Sequence, residues 1–93
     1  MFPADDILIA RGKHATLRRE WREQVKRVQD ICRTMQATAP QILSAAQDEE
    51  PISIRQHIAT LGNCLEDLQA AGERLIMLNI GLAELKPEAW GKK

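Results

Sequence analysis

Apolar side chains recur at alternating intervals of three and four over two long stretches of this chain, and that spacing constrains its fold more than any other feature. In the first stretch the positions are Ile7, Ala10, His14, Leu17, Trp21, Gln24, Val28, Ile31 and Met35, with His14 and Gln24 as polar interruptions. In the second they are Ile54, Ile58, Leu61, Leu65, Leu68, Gly72, Leu75, Asn79 and Leu82. Residues three and four apart share one face of an α-helix, whereas a half-buried strand needs strict alternation. Both stretches therefore read as amphipathic helices with a heptad-like, coiled-coil stripe.

Composition agrees. Apolar residues make up 44% of the chain, too many for a disordered segment, while aromatics are only 3%, with no tyrosine and one phenylalanine. That is poor material for a sheet, and the abundant Ala, Leu, Glu, Gln, Arg and Ile favour helix.

The boundaries are set by local chemistry. Residues 1–12 form an N-terminal segment, because Gly12 costs a helix roughly 1 kcal/mol relative to alanine and separates "ADDILIAR" from the main helix. Helix 1 is expected over residues 13–38, stopping before Pro40, since the residue preceding a proline is pushed out of the helical region. Residues 39–52 are the connection, with "DEEP" as an acidic loop. Helix 2 is expected over residues 53–86, opened by "SIRQ", in which Ser53 as N-cap and Gln56 would form a capping box. Pro87 ends it and leaves residues 87–93 as a tail whose Trp90 docks near Phe2 and Pro3 or anchors a partner.

Two such helices most simply make an antiparallel two-helix hairpin, all-α, a single domain with room for a short extra helix at the N-terminus or in the connection. In one register Trp21 faces the small residues 70–72. A chain of 93 residues buries a modest fraction of its surface, so self-association into a four-helix bundle, most simply a homodimer, is the expected source of additional core. The charge pattern suits antiparallel pairing. Thirteen basic and thirteen acidic residues cancel overall, but residues 1–37 carry eight basic against five acidic side chains and the remainder carries five against eight.

The second helix is apolar all round over "LIMLNIGL". One partner helix covers one face only, so Leu75, Ile76, Met77, Leu78, Asn79, Ile80 and Leu82 are the candidate interface with a second copy or another protein. Asn79, in line with the stripe, would fix register by demanding a partner for its amide. The competing occupant of that surface is the segment from Phe2 to Ala10.

Arg11, Arg18, Arg22, Lys26 and Arg33, spaced by sevens and fours, form a possible polyanion face. Glu20, Glu23 and Asp30 are interspersed, and Arg19 with Glu23, Glu23 with Arg27 and Lys26 with Asp30 are i,i+4 pairs of the kind found on solvated helices, which weighs against nucleic acid. The two histidines, His14 and His57, lie far apart along a hairpin and suggest no metal site. Cys32 and Cys64 match no zinc spacing and read as small, reduced hydrophobes, although they are roughly equidistant from the turn. No nucleophile with a base and no phosphate loop is present, so neither enzyme nor cofactor is expected. Acids precede the first apolar run, the reverse of a signal peptide, and no run approaches the length of a membrane span. The expectation is a bacterial cytoplasmic interaction module of adaptor, chaperone or inhibitor type, with a nucleic-acid-associated dimer as the alternative.

Overall fold

The computed structural model describes residues 4–90, and among them the chain is all-α: α1 (Ala4–Gln47) and α2 (Pro51–Trp90) form a helical hairpin without strands. No helix among the described residues is long and apolar enough to cross a membrane. Phe2 and Pro3, the expected dock for Trp90, lie outside the described residues. Two compact units divide the chain. The terminal unit takes α1 up to Val25 and α2 from Glu73, and the turn unit is Lys26–Gly72.

All nine stripe positions of α1 are buried or half-buried, and the same spacing continues through Thr38, Ile42 and Ala45. Assigning Ile7 to heptad position a and Ala10 to d, every buried residue of α1 falls on the d row and the a row is half-buried throughout, with Glu20, Val25 and Cys32 half-buried on the flanks. In α2 the inward rows are Ile54, Leu61, Leu68, Leu75, Leu82 and Ala89 at a, with His57, Cys64, Ala71, Leu78 and Leu85 at d. The sequence pattern placed the second row one residue too late. Ile58 and Leu65 are each 55% exposed, and Asn79 is exposed on the flank while Leu78 is 1% exposed beside it. The reason is steric: small residues such as Ala10, Ala45, Cys64, Ala71 and Ala89 let the backbones come close enough to bury them completely. In the terminal unit that approach is tight at Gly81, where a Cβ would stand 3.1 Å from Cδ1 of Leu17.

Both helices outrun their expected boundaries. α1 runs unbroken through Gly12, so the N-terminal segment is not separate. It also runs through Pro40. The ring deprives the Gln36 carbonyl of its helical donor, but Gln36 and Pro40 are both exposed, where water can substitute, while Thr38, Ile42 and Ala45 keep the helix docked. Thr38, buried at d, satisfies its hydroxyl by donating to the Thr34 carbonyl at 2.7 Å.

The turn is much shorter than the connection expected from sequence. Glu49 adopts φ 57°, the Glu49 N–H donates to the Ala46 carbonyl at 3.3 Å, and the Glu50 N–H to the Ala45 carbonyl at 2.9 Å. These two bonds make a Schellman motif with Glu49 in the left-handed position usually held by glycine. The first helical bond of α2 runs from the Ile54 N–H to the Glu50 carbonyl at 3.1 Å, so Glu50 is the N-cap and Pro51 takes the first helical position, where its missing N–H costs nothing. Ser53 lies inside the first turn instead of capping it, and its hydroxyl donates to Glu50 Oε2 at 3.1 Å.

α2 likewise continues through Pro87 to Trp90. Arg11 Nε donates to the Ala89 carbonyl at 2.8 Å, satisfying one of the carbonyls that every helix end leaves free, and Ala89 is 1% exposed. Buried alanine and borrowed cation together hold the last turn that the proline would otherwise release.

Candidate interaction surface

The stretch "LIMLNIGL" divides cleanly once α2 is wound onto α1. Leu78 is buried in the seam and Leu75 and Leu82 are half-buried there, so these three contribute to the fold of the terminal unit. Ile76, Met77 and Ile80 point away from α1, at 63%, 60% and 47% exposure. The described part of the N-terminal segment does not cover them, because it continues α1 and leaves Leu8 and Ile9 exposed as well. Asn79 is exposed between the two sets, outside the seam where it was expected to fix register.

Across the seam, the g rows carry the ion pairs. Glu20 and Arg74 are hydrogen-bonded and ion-paired in the terminal unit, and Arg27 lies 3.9 Å from Asp67 in the turn unit. The Arg74 guanidinium, donating to the Glu20 carboxylate, holds that carboxyl below the usual glutamate range, and the same bond raises the pKa of Arg74. Each pair is g to g, as antiparallel helices require.

The five basic residues are engaged differently. Arg11 is committed to the Ala89 carbonyl and stands with its guanidinium carbon 5.7 Å from the Trp90 ring centroid. Arg33 pairs with Asp30 one turn earlier at 3.4 Å. Arg18, Arg22 and Lys26 are exposed and advance around the helix from row e to b to f, a drift that seven-and-four spacing conceals.

His14 meets the Trp90 ring edge to face, with centroids 4.6 Å apart and planes at 82°. Trp90 remains 52% exposed, fixed on one side by His14 and Arg11 and open on the other. The sequence offered no signal for this cluster, since Trp90 is 76 or more positions from Arg11 and His14. Below it a depression of about 260 Å³ is lined by Asp6, Ile7, Ile9, Ala10, Lys13 and Glu88. It holds two acids and a lysine but no histidine, thiol or hydroxyl. Among the described residues no three histidine, cysteine or acidic side chains converge. Both cysteines are free, Cys64 buried in the seam and Cys32 half-buried on its flank.

The chain matches no family model, no curated protein and no solved structure.

Proposed function

We propose that the chain is a non-enzymatic interaction module, of adaptor, chaperone or inhibitor type, that self-associates and binds another protein through the outer face of α2. The observation that carries this reading is the exposure of Ile76, Met77 and Ile80 immediately beside the fully buried Leu78. Three large aliphatic side chains on one rigid helix, two of them nearly two-thirds exposed, form an apolar surface of the kind that marks binding sites. A helix laid on this face would find its anchors within little more than one turn.

Self-association is supported by area. The chain exposes 7259 Å², whereas a compact globular protein of 10.5 kDa exposes about 5400 Å². The difference is about a quarter of the exposed surface, well above the roughly 800 Å² per partner of a standard protein interface.

Light scattering at micromolar concentration, paired with binding of an environment-sensitive apolar dye, tests both parts. An oligomer whose dye signal falls when Ile76, Met77 and Ile80 are replaced by serine is the expected result. A monomer that binds no dye overturns the reading. Affinity capture from the native organism with the wild-type chain and the triple variant then identifies the partner as the protein lost only from the variant.

A further inference from the structure

The turn unit has two unlike flanks. On its g side every residue is polar: Arg27, Thr34 and Gln41 from α1, Ser53, Thr60 and Asp67 from α2. On its e side none is. There α1 supplies Cys32, Ala39 and Ala46, and α2 supplies Ile58 and Leu65, with Pro51 and Gly72 at the ends of the row. No polar or charged group would have to be desolvated to cover this second flank.

Burial within the seam leans the same way. In the d row of the turn unit Ile31, Thr38, Ala45, Cys64 and Ala71 are buried, and His57, near the turn, is half-buried. The a row is open: Val28, Met35, Ile42, Ile54, Leu61 and Leu68 are each only half-buried. On a helical wheel a lies between d and e, so the half-exposed a residues and the apolar e residues form one continuous surface. A two-stranded coiled coil needs apolar residues at a and d alone. Three apolar rows of seven, a, d and e, are the pattern of a helix facing the core of a bundle.

We infer that the a and e rows of the turn unit are the surface on which a second copy of this chain docks to complete a four-helix bundle. The assignment rests on the self-association proposed above, and locates it away from Ile76, Met77 and Ile80. The occupant is a second copy because both helices of the unit carry the same three-row pattern. A bundle core closes when two more faces of that pattern are added, and an identical hairpin brings both. The area argument is consistent, since the surface exposed beyond that of a compact monomer is of the size that stable dimers bury. Alanine and cysteine along the α1 row permit close approach, while Ile58 and Leu65 supply the large side chains that fill the new core. In the terminal unit the e row keeps Val25 at the boundary and beyond it changes to Arg11, Arg18, Asn79 and Lys86, so the apolar surface ends past Val25.

Sedimentation equilibrium of the full chain across a range of concentrations tests the assignment. Leu65→Arg and Ala39→Arg, both at exposed positions, are expected to weaken self-association at least tenfold while circular dichroism reports an unchanged helical hairpin. Thr34→Arg, on the opposite flank, is expected to leave it unchanged. An independent readout on the wild-type chain is the alkylation rate of Cys32 by iodoacetamide, which should fall as the protein concentration passes through the dissociation constant. Self-association that persists in both arginine variants, or is lost equally with Thr34→Arg, overturns the assignment and leaves the proposed module standing. Alkylation of Cys32 independent of concentration in a chain that does associate overturns it equally, even if the arginine variants fail to fold. A wild-type chain that is monomeric throughout overturns self-association itself.

Discussion

Glu20 and Arg74 lie 54 positions apart in sequence and meet as an ion pair across the seam of the terminal unit. Both sit on g rows, so neither takes space from the apolar seam. The pair also has a titration consequence. Because the native carboxyl of Glu20 is held below its unfolded value, its stabilisation is present above the ordinary glutamate range and is lost as pH falls through the depressed native value. Thermal unfolding of the wild type and Glu20→Gln should differ at neutral pH and converge in acid. A difference that is constant with pH would remove the ion pair as its cause.

The side-chain oxygen of Gln24 is buried in the seam without a hydrogen-bond partner among the described residues. An unsatisfied buried acceptor costs about 1–3 kcal/mol. Gln24→Met keeps the length of the side chain and removes the polar group, so urea unfolding at fixed protein concentration should show a gain of about 1 kcal/mol. An unchanged or lower midpoint would mean that the amide is satisfied in solution.

Glu49 holds the left-handed position of the turn, which for a residue with a Cβ costs roughly 1–2 kcal/mol. Glycine has no such penalty, but it adds freedom to the unfolded chain. Glu49→Gly is accordingly expected to stabilise by up to about 1 kcal/mol, whereas Glu49→Val should destabilise. If both variants lower the melting temperature, the Schellman geometry is wrong.

Gly12 lies within α1 with nothing inside 4 Å of where a Cβ would be. Alanine there should gain roughly 1 kcal/mol of helix propensity. The same change at Gly81 gains less, because its Cβ must displace Cδ1 of Leu17. Parallel chemical denaturation of the two variants checks the order, and an equal gain at both would show that Leu17 yields freely.

Residue spacing alone dictated the helices and the seam of α1. The three-and-four pattern admits one inward face, and every residue from Ile7 to Met35 on that stripe is buried or half-buried. It also separated Trp21 from Arg18 and Arg22, since winding the helix turns them to different faces. The ends were misread because proline and glycine rules describe isolated helices. At Pro40 the continuing seam holds the helix together, and at Pro87 the bond from Arg11 to the Ala89 carbonyl does so, neither of which is visible locally. The seam of α2, by contrast, depended on packing. Rows 57, 64, 71, 78 and 58, 65, 72, 79 have the same period, and hydrophobicity favoured the larger residues Ile58 and Leu65. Close approach to α1 instead selects Cys64 and Ala71, because small side chains let two backbones meet. That choice leaves Ile58 and Leu65 exposed on the flank and divides "LIMLNIGL" into Leu75, Leu78 and Leu82, turned toward the seam, and Ile76, Met77 and Ile80, exposed outside it.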